Sequence, residues 1–265
     1  MAAFAAASAS AFAIAPASPD ELASAYGAEV DRRLNVPPEE AQRYADLAES
    51  AFTRANVMPV MPQYVVVVDR NPHVQALLLM WRSSDGDYQL AGASPVSTGR
   101  PGTFDHFQTP LGVFEHTPGN MDYRAEGTYN ENGIRGYGEK GMRVFDFGWQ
   151  QVPKGWGDHA VIQMRLQMHA TDPDQLEQRL GTIQSEGCVR IPATLNRFLD
   201  HYGVIDAEYE DFAEGGQRIK VLRPEREGVT DAGRYMVVVD SGRSSRPAWS
   251  SSTGRRVAAH RQLSR

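Results

Sequence analysis

Apolar positions in this chain recur at two spacings, and each spacing predicts a different element. From Ala160 to Met168 the even positions Ala160, Ile162, Met164, Leu166 and Met168 are apolar, while Gln163, Arg165 and Gln167 are polar. A period of two predicts a strand with one buried face. His169 continues the polar parity, at the end of the wet face, where an imidazole can line a cleft. The β-branched run Tyr64–Asp69 and the apolar run Ala76–Trp81 predict further buried strands, and Tyr235–Asp240 echoes the first. One short echo does not make a repeat array. Helical spacing comes earlier. Ser18-Pro19-Asp20-Glu21 joins an N-cap serine to a proline at the first helical position and predicts a helix to about residue 33. Pro37-Pro38-Glu39-Glu40 opens a second helix, which keeps Tyr44, Leu47, Ala48 and Phe52 on one side through about residue 55. The two are expected to form a helical hairpin packed on the domain that follows.

Residues 119–157 are rich in glycine, with Tyr123, Tyr129, Tyr137, Phe145, Phe147, Trp149 and Trp156 interleaved. This stretch reads either as a lid over a cleft or as a long irregular connection whose aromatics cover the core. Thr98–Gly102 is turn chemistry without the G-x-x-x-x-G-K-[ST] phosphate loop, so nucleotide binding has little support. With 41% hydrophobic residues, 265 residues suffice for one good core plus extensions. The net charge of −6 is uneven: residues 241–265 carry six arginines and no acidic residue, so the rest of the chain is twice as acidic as that figure suggests. An acidic body repels phosphates and argues against nucleic acid as a partner. The arginine- and serine-rich end reads as a disordered tail. Met1–Ser18 is nearly all Ala, Ser and Phe, with small-residue sites at Ala13-Ile14-Ala15 and Ala15-Pro16-Ala17. It reads as a leader or signal remnant that has no positive n-region. Nothing after it is apolar for long enough to predict a transmembrane segment.

The chain holds one cysteine, Cys188, in Ser185-Glu186-Gly187-Cys188-Val189-Arg190. A lone thiol forms no internal disulfide and supplies one ligand where a structural zinc site needs about four, which leaves nucleophilic catalysis as the strongest functional reading. The competing reading is a buried cysteine acting as a small hydrophobe. His169 stands nineteen positions upstream, at the end of the predicted strand. A free thiol, with a pKa of about 8.5, needs such a base to become a useful nucleophile.

The two residues and their neighbours resemble the L,D-transpeptidase catalytic domain, also called the YkuD domain, of bacterial peptidoglycan enzymes. His169-Ala170-Thr171 is similar to the family's H-G-T-like strand end, and the segment 185–190 to its S-H-G-C block followed by an aliphatic residue and Arg or Asn. Upstream, Pro95–Thr103 is similar to V-S-T-G-K-x-G-T and Thr109–Phe114 to T-P-x-G-x-F. The resemblance runs from about residue 64 to about residue 221. Two positions depart from it: Glu186 replaces the usual histidine, and Ala170 replaces a glycine or serine. A carboxylate beside the thiol opposes thiolate formation, so Glu186 is expected to face solvent or pair with Arg190.

What the resemblance implies is a mainly β, L,D-transpeptidase-like β-sandwich with helical additions and the N-terminal helical hairpin. The resemblance leaves both ends of the chain unexplained; with the residue patterns above, the expected divisions are a leader (1–18), a helical extension (19–60), a catalytic domain (61–225) and a C-terminal strand with a basic disordered tail (226–265). Cys188 is expected to attack an amide carbonyl of a peptidoglycan stem peptide, form a thioester and release the terminal D-residue, with His169 taking the thiol proton and returning it to the leaving amine. On this reading Cys188 is labelled by iodoacetamide faster than a free thiol near pH 6. Backbone N–H groups of Gly187 and Cys188 are expected to hold the oxyanion. Ser185 is expected to order the turn or orient the histidine, and Arg190 to stabilise the loop or bind a substrate carboxylate. Arg165, Tyr137 and Trp149 are candidate substrate contacts. The chemistry requires no cofactor and no metal. Resolution of the thioester by an amine gives a crosslinking enzyme, and resolution by water gives an L,D-carboxypeptidase or endopeptidase. The alternative from another class is a wall-binding protein that keeps the fold and not the activity. The resemblance also implies a role in cell wall biogenesis and cell shape, and export to the periplasm or cell envelope.

Overall fold

A computed structural model describes residues 15–250. In chain order its elements are helices α1 (Pro19–Glu29) and α2 (Pro38–Ala55), then strands β1 (Gln63–Asp69), β2 (Ala76–Arg82), β3 (Tyr88–Pro95), β4 (Gly112–Glu115), β5 (Tyr123–Arg124), β6 (Arg143–Pro153), β7 (Val161–Ala170) and β8 (Val189–Ile191). Helices α3 (Ala193–His201) and α4 (Ala207–Glu214) and strand β9 (Tyr235–Val239) complete the fold. The strands form a five-stranded sheet in the order β3-β2-β1-β9-β4 and a four-stranded sheet in the order β5-β6-β7-β8. The result is a mainly β sandwich with helical additions.

Strand alternation divides the side chains between two cores. Tyr64, Val66 and Val68 of β1, with Leu77, Leu79, Met236 and Val238, face Phe145, Phe147, Leu166, Met168, Val189 and Ile191 of the second sheet. The intervening positions Val65, Val67, Leu78, Met80, Val237 and Val239 form a second core on the outer face of the larger sheet. At about 25 cal/mol per Å² of apolar area, two-sided burial explains why β1 tolerates a run of four valines.

The expected helical hairpin is corrected: α1 and α2 lie on opposite faces of the five-stranded sheet. Leu22 and Tyr26 of α1 enter the core between the sheets, whereas Tyr44, Ala45, Ala48, Ala51 and Phe52 of α2 cover the outer face. Gly92 on β3 fixes the first site, since a Cβ there would stand 2.3 Å from the Tyr26 ring. The Tyr26 hydroxyl meets Ser94 Oγ at 2.5 Å. The Tyr44 hydroxyl donates to Asp69 Oδ2 at 2.6 Å on the other side.

Three boundaries also move. β9 lies between β1, to which it is parallel, and β4, so a division at residue 225 cuts through the larger sheet. Residues 241–250 are held in place and are not a disordered tail: Arg243 pairs with Glu40, and Arg246 donates to the carbonyls of Val74 and Gly181. Residues 251–265, and 1–14 of the expected leader, lie outside the described residues. The stretch 119–157 is not a continuous lid, because residues 143–153 are strand β6 and bury Phe145 and Phe147; the longest irregular piece is 125–142. No helix among the described residues is long and apolar enough to cross a membrane.

Candidate active site

The parity read from the sequence puts Met164, Leu166 and Met168 in the core and Arg165, Gln167 and His169 on the other face of β7. That face is covered. His169 is only 4% exposed, because the Tyr137 ring tilts over the imidazole with centroids 4.6 Å apart. β8 runs parallel to β7 with Met168 opposite Val189 and His169 opposite Arg190. Cys188, one residue before β8, therefore shares a face with His169 and Arg190 and stands level with Gln167. The half-buried thiol lies 3.7 Å from the carbonyl oxygen of Arg165. Among the described residues no hydrogen bond joins it directly to the imidazole.

The two upstream blocks build the cradle for this turn. Ser97 and Arg190 exchange two backbone hydrogen bonds of 2.9 Å, and Thr98 O accepts the N–H groups of Gln184 and Ser185 at 3.0 Å. Thr109 Oγ1 accepts from Gly99 N at 2.9 Å and donates to Gly187 O at 2.7 Å, tying both blocks to the turn that carries Cys188. Gly187 has φ +141°, and a Cβ there would meet Met164 Cε at 2.8 Å, so glycine is needed for backbone and for space. Its N–H, expected to serve the oxyanion, is already taken by Ser185 Oγ at 3.1 Å. Ser185 Oγ donates in turn to Cys188 O at 2.5 Å, which makes the serine the organiser of the turn. The Cys188 N–H has no acceptor among the described residues and is the donor left for an oxyanion, worth roughly 3 to 4 kcal/mol.

The expectation of a pre-activated thiolate is corrected. Burial pushes the Cys188 thiol up to about 11, against the opposing pull of the Gln167 backbone and the Arg190 charge. Burial also pushes the His169 imidazole down to about 4, with Arg190 adding to the effect. Both groups rest neutral at pH 7. Burial therefore disfavours transfer of the proton from thiol to imidazole ahead of attack. His169 Nδ1 lies 2.7 Å from the Ala170 carbonyl. A neutral imidazole must donate there, which leaves Nε2 as the basic nitrogen.

The remaining candidates fall on the same face. Arg165 gives its Nε to both oxygens of Asp146, at 3.0 and 2.9 Å, and its guanidinium lies 5.4 Å from the ring centroid of Trp149. Glu186 is exposed, as expected, and forms no ion pair with Arg190 among the described residues. Arg190 reaches Gln184 O at 3.3 Å, and its buried Nε has no partner among the described residues. Tyr137 is presented by the loop 125–142, which Arg135 fastens to Asp172 and Asp174. Sequence reasoning missed Asp146 and Gln167, the carboxylate and amide that connect β6 to the site through a 2.8 Å bond. It also missed a buried ionic cluster behind them. There Arg143 donates to Asp122 and Asp206, and His116, its charged form favoured despite burial by Asp122, lies 3.0 Å from the Asp122 carboxylate. Among the described residues no group of three or more His, Cys, Asp or Glu side chains is placed to hold a metal ion.

No protein-family model matches the chain, and no curated protein does. Among solved structures it is similar to the helical cell shape determining protein Pgp2 from Campylobacter jejuni, at 14% identity, and to a lysine-to-alanine mutant of that protein, at 13%. Each TM-score is 0.35, and each match covers 85% of this chain and 56% of the other. The chain thus spans a little over half the length of those proteins.

Proposed function

We propose that this protein is a cysteine acyltransferase of the L,D-transpeptidase type, acting on peptidoglycan stem peptides in the cell envelope. One observation carries the reading: the chain's single thiol and His169 share one face of two adjacent parallel strands, on a turn that the Ser97–Gly99 and Thr109 segments hold. Cys188 Sγ adds to the scissile carbonyl while its proton passes to His169 Nε2. The C–N bond then breaks, the proton goes to the departing amine, and the acyl group remains as a thioester. A donor carboxylate seated on Arg190 would neutralise a charge that depresses His169 and so raise the basicity of the imidazole as substrate binds.

A second reading, a wall-binding protein without turnover, draws on the neutral resting pair. Incubation with a disaccharide-tetrapeptide and mass analysis of the products separates the two. Crosslinked dimer marks the transpeptidase, and tripeptide with free D-alanine marks the hydrolytic variant of the same site. Products identical for wild type and Cys188→Ala would leave only binding.

A further inference from the structure

Arg165 is held as a donor with its business end unused. Its Nε is engaged by both oxygens of Asp146, a carboxylate that is itself buried and fixed by Gln167 Nε2 and by the Gly148 N–H, each at 2.8 Å. Neither terminal nitrogen of Arg165 makes a hydrogen bond among the described residues, and the side chain is 36% exposed. Trp149, 58% exposed, supports the guanidinium plane from one side. This guanidinium is pre-oriented and presents two adjacent N–H donors to solvent, the geometry that accepts a carboxylate at two points.

Its place along β7 gives the direction. Extending the β7–β8 register by one residue brings Cys188 level with Gln167, its sulfur 3.7 Å from the Arg165 carbonyl oxygen; along the backbone His169 lies two residues to one side of Gln167 and Arg165 two to the other, each about 7 Å away. The leaving amine must sit on the His169 side, where it collects its proton. The acyl portion therefore extends toward Arg165 and Trp149. We infer that Arg165 binds a free carboxylate on the acyl portion of the donor, on the acylated residue or its neighbour, so that the preferred substrate is a peptide anionic on that side of the scissile amide. The inference rests on the thioester reading for its direction and assigns Arg165 a specificity role distinct from that of Arg190.

The test uses full-length Cys188→Ala, which binds without turnover, and three stem-type tetrapeptides: one with free carboxylates, one amidated on the third residue, one amidated on the second. Calorimetry should show the free acid bound roughly ten- to hundred-fold more tightly than one of the amides, the range for a charge-assisted contact. Adding Arg165→Gln should bring that ratio to within about twofold. Arg165→Lys keeps a charge beside Asp146 without the two-point fork and should retain only part of the preference. It keeps the test valid if the glutamine variant melts early. Equal binding of all three peptides, or a ratio unchanged in both Arg165 variants, overturns the assignment. Thioester formation by wild type is followed separately with the same peptides. A preserved ratio without thioester would sink the acyl-transfer reading alone, and a thioester with no preference would sink only the carboxylate site.

Discussion

Gly187 and Cys188 show how much of the proposed site is backbone. Gly187→Ala forces a side chain onto φ +141° and into Met164, so activity should be lost together with about 2 kcal/mol of stability or more, read by denaturant unfolding. Cys188→Ala removes one sulfur from a half-buried position, so turnover should vanish while the midpoint changes little. The neutral pair gives a pH signature. Because the folded pKa of His169 is depressed to about 4, its contribution to stability is complete above the unfolded value of about 6.5 and is lost as pH falls toward 4. Wild type should therefore gain about 3 kcal/mol relative to His169→Gln between pH 4 and pH 7. A pH-independent difference would show that the imidazole is not held neutral. Alkylation of Cys188 should be slower than that of a free thiol at pH 7 and rise about tenfold per pH unit toward pH 10, following a thiol pushed up to about 11. Cys188 and His169 were legible in the sequence because one is unique and the other continues a strict parity. Asp146 and Gln167 were not, since their meeting depends on the register of β6 against β7 across the irregularity between Asp146 and Trp149.

Helix α1 is an element whose existence the sequence announces and whose place it hides. The Ser18 cap and Pro19 mark its start, but nothing in its own residues says which face of the sheet it will cover. Gly92, about seventy residues later, decides that by leaving room for Tyr26. Tyr26→Ala should cost about 3 to 5 kcal/mol, since it opens a cavity in the core between the sheets and removes the hydrogen bond to Ser94, whose hydroxyl keeps only the Arg32 carbonyl. A cost below 1 kcal/mol would mean that α1 docks without it. The loop 125–142 is similar: its glycines and tyrosines suggest mobility, but Arg135 and Asp172 fasten the segment that seats Tyr137 over His169. Arg135→Ala should speed hydrogen exchange in 125–142 and lower turnover while leaving the melting of the strands in place. Unchanged exchange would show that the ion pair does not hold the loop.

Over the whole molecule, both ends of the described chain are built into the sandwich: α1 fills the core from one side, and β9 stands between β1 and β4. The strand runs were legible because two-sided burial writes itself as consecutive valines and leucines. The order of strands was not, because parallel pairing of β1 with β9 joins segments about 170 residues apart. A thioester on Cys188 would be seen by intact-protein mass spectrometry after rapid acid quench of a single turnover with a stem tetrapeptide. Wild type is predicted to gain the mass of the donor less that of the released terminal amino acid, one water less than the free tripeptide, with the modification mapping to Cys188 and absent from Cys188→Ala. An unmodified wild-type protein with no terminal residue released, or the same adduct on Cys188→Ala, would contradict the account.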